Sequence, residues 1–262
     1  MIPIDLQGRS ALITGGDSGL GAASAKSLAQ AGADVAITYR DQSQAAERIA
    51  AVVKSYGVKA AIIQLADVSN RADVAALFQR MDGEFGGADI LVNNAGMDGP
   101  RALCEDSDAM AWRQVIEVDL IGAYYCAREA VARMRKRGRG VIINTTSVHE
   151  FIPWAGYTAY TSAKAGLSMF SKTLAQEVAA QGIRVIAIAP GAIKTPINAG
   201  VWQDPKGLSD LEAKIPMARV GEPDEIGHVI AFLCSDLASY VTGITVPVDG
   251  GMLLYPDFRQ GG

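Results

Sequence analysis

Ser147, His149, Tyr160 and Lys164 fall within one short stretch, SVHEFIPWAGYTAYTSAK, of a chain that has only 2 histidines in all. Each is a residue type able to handle a proton near a reacting oxygen. Tyr160 and Lys164 are four residues apart on a predicted helix, so they share one face about a turn from each other. A phenol whose ordinary pKa is near ~10 is no base at neutral pH, but a cation within about 4–6 Å lowers an acid's pKa by about 1–3 units. Lys164, together with the positive charge of an oxidised organic cofactor, is placed to do this for Tyr160. Ser147, at the end of a predicted strand, can hydrogen-bond the same substrate oxygen and hold the reacting carbon in place. The chemistry such a set can perform is removal of a proton from a bound hydroxyl. His149 can donate to or accept from a further hydroxyl, while Asp98, Trp154 and Asn198 are expected at the cleft mouth. There a hydroxyl-rich ligand needs polar contacts and a flat apolar face.

No metal is expected to assist this chemistry. The 2 histidines and 3 scattered cysteines (Cys104, Cys126, Cys234) show no zinc-like spacing. An organic cofactor is indicated instead by ALITGGDSGLG, residues 11–21, a glycine-rich turn between a predicted strand and a predicted helix. Glycines allow close backbone approach to a pyrophosphate, and a helix N-terminus offers unpaired N–H groups and positive partial charge. Gly15, Gly19 and Gly21 give the spacing TGxxxGxG rather than GxGxxG. Asp17, Ser18 and Leu20 lie within the same turn. At the end of the second strand the chain reads ITYRDQ. Tyr39 occupies the position where an acid would hold the ribose 2′-hydroxyl of NAD, and Arg40 follows, suited to the 2′-phosphate of NADP. NADP is the expected cofactor, with NAD not repelled.

The elements that must position these residues alternate along the chain. Short β-branched runs at 11–14, 35–39, 60–64, 90–93, 141–145, 184–189 and 244–248 are separated by helical patterns at 21–31, 44–56, 71–85, 109–136, 157–180 and 224–235. This is the signature of an α/β fold, a Rossmann-type, doubly wound, seven-stranded parallel sheet with helices on both faces. Nearly half of the 262 residues are apolar, a fifth are charged, and no Pro/Ser-rich linker divides them, so one domain over 1–262 is expected. Residues 192–219, rich in Pro, Gly and charge, are expected to form a lid over the C-terminal strand ends. The tail 250–262 carries Leu253, Leu254, Tyr255 and Phe258, which call for burial against something.

The formal net charge of −4 argues against nucleic-acid or anionic-membrane binding. The one basic run, ARMRKRGR, is expected to be a helix C-terminus whose cations complement the macrodipole. The unpaired cysteine usage fits a reducing, cytoplasmic compartment, and neither a secretion signal nor a membrane-spanning run is expected.

Six elements in order, TGGDSGLG, DVSN at 67–70, NNAG at 93–96, Ser147, YTSAK at 160–164 and PGAIKT at 190–195, resemble the short-chain dehydrogenases/reductases. More narrowly, SVHEFIPW, PGAIKTPIN and SYVTGITVPVDGGMLLYP are similar to the bacterial glucose 1-dehydrogenases of that family. The resemblance implies contacts to adenine from Asp67 and Val68, a cofactor cleft lined by Asn94, Ala95 and Gly96, and a nicotinamide framed by Pro190, Gly191, Ile193 and Thr195. It implies Tyr160 as base, Lys164 as its partner, Ser147 as the substrate-orienting group, and a homotetramer whose tails pack at subunit contacts. Where the family usually has asparagine, the chain reads EVDLIG and places Asp119 among the catalytic group. Oxidation of a sugar hydroxyl, glucose at C1 giving gluconolactone, is the activity implied. A reductase for another polyol, ketose or 3-oxoacyl substrate, and a non-catalytic NADP sensor, are the alternatives.

Overall fold

The chain is described by a computed structural model covering residues 3–254. The alternating apolar runs form strands β1 (Ser10–Ile13), β2 (Asp34–Tyr39), β3 (Ala60–Gln64), β4 (Ile90–Asn93), β5 (Gly140–Thr145), β6 (Ile183–Pro190) and β7 (Thr245–Val248). They pair in parallel in the order β3-β2-β1-β4-β5-β6-β7. The connection from β3 returns across the sheet to β4 beside β1, so β1 and β4 flank the point where the winding reverses. In an open sheet of this kind the ligand crevice lies outside the C-terminal strand ends there.

Helices α1 (Gly19–Gln30), α2 (Ser43–Ser55), α3 (Arg71–Phe85), α4 (Ala109–Ile116), α5 (Ala123–Arg137), α6 (Thr158–Val178), α7 (Ala199–Trp202), α8 (Pro205–Glu212) and α9 (Pro223–Cys234) complete the chain. Both sheet faces are covered, which is why the strands read as continuous apolar runs. Along β1, Ala11 and Ile13 point into one core with Leu28 of α1 and Ile226 and Ile230 of α9. Leu12 points into the other, with Phe78 and Met81 of α3, Met134 of α5 and Val178 of α6.

Two elements differ from those expected. The single helix expected over 109–136 is divided by a π-helical turn, Glu117–Gly122. The segment 192–219 is not a bare loop. Asp204 accepts from the Gly207 N–H at 2.8 Å, and Pro205 at the first helical position starts α8. As expected, the basic run ends α5 in a left-handed Gly138 (φ 67°), and Arg133, Arg137 and Arg139 are paired. Arg133 Nε is 2.8 Å from Asp82 Oδ2, while Arg137 Nη1 and Arg139 Nε lie 3.2 and 3.1 Å from Asp89 Oδ1.

Cys126 and Cys234 are buried, Cys104 is exposed, and all three are free. Among the described residues no helix is long and apolar enough to cross a membrane, and no group of three or more His, Cys, Asp or Glu could hold a metal ion. Tyr255 and Phe258 of the expected tail contact lie outside the described residues.

Candidate active site

The turn between β1 and α1 is built by glycine where no other residue fits. Gly19 has φ 51°, in the left-handed region. A Cβ on Gly21 would sit 2.1 Å from the Gly15 carbonyl oxygen and 2.6 Å from Asn94 Nδ2. Asn94 locks the turn to the end of β4, since its Nδ2 donates to Thr14 O at 3.1 Å and to Gly15 O at 3.0 Å. Thr14 Oγ1 in turn accepts from the N–H groups of Asn94 and Ala95, both at 3.0 Å. Ser18 makes no side-chain cap and the first turn of α1 holds no acid, so its amides stay available to an anion.

This turn opens into a cavity of about 800 Å³, a size suited to a small-molecule site. Its wall brings together the expected Gly15, Ser18, Gly19 and Leu20; Asn94, Ala95, Gly96 and Asp98; and Asp119, Ser147, His149, Trp154, Tyr160 and Lys164. Pro190, Gly191, Ile193, Thr195 and Asn198 close it. Asp17, Gly21, Tyr39, Arg40, Asp67 and Val68 are outside this wall. Gly21 lies beneath the turn, Arg40 is exposed with Nε 2.7 Å from Asp41 Oδ2, and Asp67 accepts from the Ser69 N–H at 2.8 Å. The residues fit a nicotinamide dinucleotide: a glycine cradle, uncapped helix amides, and Thr145 Oγ1, which is buried in the wall with no hydrogen-bond partner among the described residues.

On the far side of the cavity β5 delivers Ser147, whose Oγ accepts from the His149 N–H at 3.2 Å and starts the 3₁₀ turn Val148–Glu150. The first turns of α6 present Tyr160 and Lys164. Ser147 and Tyr160 line the same cavity. Lys164 Nζ donates to Thr145 O at 3.1 Å and lies 5.5 Å from the Tyr160 ring centre. Asp119 Oδ2 is 3.1 Å from the same Nζ, and Asp119 Oδ1 accepts from the Met97 N–H at 2.8 Å. The site is thus an ordered chain: Ser147, Tyr160, Lys164, Asp119.

In the protein alone the Lys164 charge does not by itself bring the Tyr160 phenol below its ordinary value. Burial pushes the Tyr160 phenol up; the Lys164 charge and the Ser147 hydroxyl pull it down, and Asp119 and Asp98 oppose them. Burial wins. Burial by itself would lower Lys164, but Asp119 and Tyr160 hold it above the usual lysine value.

His149 lies flat on Trp154, with ring centres 4.5 Å apart and planes at 12°. Trp154 stacks in turn on Tyr157 at 3.8 Å and stands edge-on to Tyr160 at 6.0 Å. Because the Ile152 carbonyl oxygen, 3.2 Å from His149 Nδ1, can only accept, Nδ1 carries the proton. Burial lowers the His149 pKa, so in the neutral ring Nε2 is an acceptor. Asn198 is differently used. Its Oδ1 accepts from the Thr195 N–H and Trp202 Nε1 at 3.0 and 3.1 Å, and its Nδ2 donates to Ile193 O at 2.9 Å. Its amide fixes the entry to α7. Sequence reasoning missed Thr14, Met97 and Thr145, and the apolar cavity residues Ile197, Val201, Leu211 and Met252. The position of Met97 directly after NNAG was the available signal.

The family model described as Enoyl-(Acyl carrier protein) reductase matches residues 15–253. The chain is 45% identical over 98% of its length, and 98% of the relative's, to 3beta-hydroxysteroid dehydrogenase 1 of Eggerthella lenta. It is 40% identical to cis-4-hydroxycyclohexanecarboxylate dehydrogenase of Sinomonas cyclohexanicum, over 93% of this chain and 96% of that one. It is 37% identical to glucose 1-dehydrogenase 2 of Bacillus subtilis, over 96% and 97%. A crystal structure of a gluconate 5-dehydrogenase from Burkholderia cenocepacia, in complex with NADP and tartrate, superposes with a TM-score of 0.90 at 33% identity, covering 96% of this chain and 97% of that one. The chain belongs to the short-chain dehydrogenase/reductase family of oxidoreductases.

Proposed function

We propose that this member of the short-chain dehydrogenase/reductase family oxidises a hydroxyl borne on a ring, reversibly, with NADP or NAD as partner and Tyr160 as base. Bound nicotinamide supplies the hydride acceptor. Tyr160, once ionised, takes the hydroxyl proton; Ser147 holds the same oxygen; Lys164 steadies the phenolate. The observation that carries the ring-alcohol reading is the aromatic and apolar lining of the cavity, where His149, Trp154 and Tyr160 stand with Met97, Ile197, Val201 and Leu211. Alicyclic rings pack on such a lining by burial of their apolar carbons. A hydroxysteroid and a hydroxycyclohexanecarboxylate, named in two relatives, both carry such a hydroxyl.

Glucose, oxidised at C1 to the lactone, is the second reading. It is favoured by the acceptor at His149 Nε2 and by Asp98 in the cavity wall, and by the 37% relative. A 3-oxoacyl carrier protein is less well supported, since Arg133, Arg137 and Arg139 of the basic run that would greet its acidic surface are paired with Asp82 and Asp89. Arg40, exposed at the end of β2, supports NADP over NAD; its ion pair with Asp41 leaves room for both. A homotetramer remains the expected assembly.

The test is turnover of NADP and NAD, followed by nicotinamide absorbance, with substituted cyclohexanols, 3-hydroxysteroids, glucose and open-chain polyols. Preference for ring alcohols supports the first reading. Preference for glucose supports the second, and turnover of open-chain polyols alone overturns both. No turnover with any alcohol, but tight NADP binding, supports a sensor.

A further inference from the structure

We infer that Asp119 is a positioning residue, the counter-ion that holds Lys164 charged and so sets the pH range over which Tyr160 works; this rests on the reading of Tyr160 as the proton acceptor. The geometry is specific. The π-helical turn Glu117–Gly122 turns Asp119 into the protein, where its side chain is 0% exposed and that of Lys164 is 6% exposed. One carboxylate oxygen meets Lys164 Nζ at 3.1 Å and the other the Met97 N–H at 2.8 Å. Gly96 allows this approach: a Cβ there would lie 3.1 Å from Asp119 Oδ2. An asparagine in this place would tie the same loop to the same helix without adding a charge.

A buried negative charge favours the protonated form of every neighbour. The titratable groups that act with it are Tyr160 and Lys164 from α6 and Asp98 from the loop after β4, while His149, from the turn after β5, lines the same cavity. β5 itself adds only the neutral Thr145. Asp119 therefore acts on both working groups in one direction. It keeps Lys164 protonated against burial, and it keeps Tyr160 neutral. Removing the charge must lower the titration of both, so the acid limb and the alkaline limb of the activity profile move together toward lower pH. A residue that only braces the loop would change the height of the profile and leave its position alone.

The test compares the wild type with Asp119→Asn and the charge-keeping Asp119→Glu. Two readouts are taken: kcat/KM against pH, and NMR titration of Tyr160 in cofactor-free protein labelled at the tyrosine Cζ, assigned with Tyr160→Phe. In Asp119→Asn both limbs and the Tyr160 resonance should titrate at lower pH. At a fixed pH on the acid limb the variant should then hold about a tenfold larger fraction of its own plateau rate, the effect of one charge at close range. Asp119→Glu should keep the wild-type position, and Asp98→Asn, which removes a carboxylate that makes no ion pair with Lys164, should move it less. If Asp119→Asn does not fold, Asp119→Ser removes the same charge with a smaller side chain. An unmoved or upward-moved Tyr160 titration overturns the inference even where turnover is normal. A wild type that turns over no alcohol overturns the functional reading alone, because the NMR titration still decides the role of Asp119.

Discussion

Replacing Lys164 with methionine separates the electrostatics of the site from its packing. The chain length is kept, but the amine that faces Asp119 at 3.1 Å is gone, along with its hydrogen bond to Thr145 O. Asp119 is then a fully buried carboxylate held only by the Met97 N–H. Breaking a buried pair from one side costs about 3–5 kcal/mol, most of it the stranded charge. That is a large part of a total stability of about 5–15 kcal/mol. The pH dependence has a definite sign. Burial already raises the Asp119 pKa, and Lys164 is the main force lowering it. Without Lys164 it rises further, so the folded variant binds a proton where the unfolded chain does not. Its stability is therefore lost as pH climbs above the ordinary carboxylate range and regained on acidification. Urea unfolding followed by circular dichroism should show Lys164→Met well below the wild type at pH ~8, with the gap narrowing toward pH ~5. Adding Asp119→Asn should restore much of the loss at the higher pH. A variant as stable as the wild type at the higher pH, or a gap that widens on acidification, would refute the reasoning.

Gly21→Ala forces a Cβ to within 2.1 Å of the Gly15 carbonyl oxygen; it should weaken dinucleotide binding by roughly tenfold or more, read by calorimetric titration, while costing about 1–3 kcal/mol of stability. Trp154→Ala removes the middle of the aromatic stack; it should raise KM for ring alcohols by roughly 2–12-fold, the worth of one aromatic contact, with a small effect on open-chain alcohols. Arg40→Ala should weaken NADP by roughly ten- to a hundredfold, as expected for a lost charge-assisted hydrogen bond, and leave NAD nearly unchanged in the same titration.

The sequence showed most of the frame. All seven strands lie within a residue of the expected positions at either end, because burial on both faces makes them continuous apolar runs bounded by polar turns. Ser147, Tyr160 and Lys164 meet as expected, since the end of β5 and the first turns of α6 both open on one crevice. What was hidden depends on three-dimensional partners. Nothing in EVDLIG shows that the helix takes a π-helical turn at Asp119, because that turn is stabilised by contacts with Met97 and Lys164, far apart in sequence. Asn198 reads as a free amide at a cleft mouth, although the spacing from Thr195 already matched a capping box. Burial of Tyr160 is hidden for a related reason: four-residue spacing reveals the nearby cation, but not the burial that outweighs it in the protein alone.

The central claim is that Tyr160 is the proton acceptor in alcohol oxidation, and Tyr160→Phe tests it most directly. The variant keeps the ring, its edge-on contact with Trp154 and the cavity wall, and loses only the hydroxyl. With a ring alcohol that the wild type oxidises, loss of general-base catalysis should lower kcat by at least about 10²-fold, while the affinity for NADP, measured by calorimetry, stays within about twofold. A Tyr160→Phe enzyme that still oxidises the alcohol at near the wild-type rate would contradict the account.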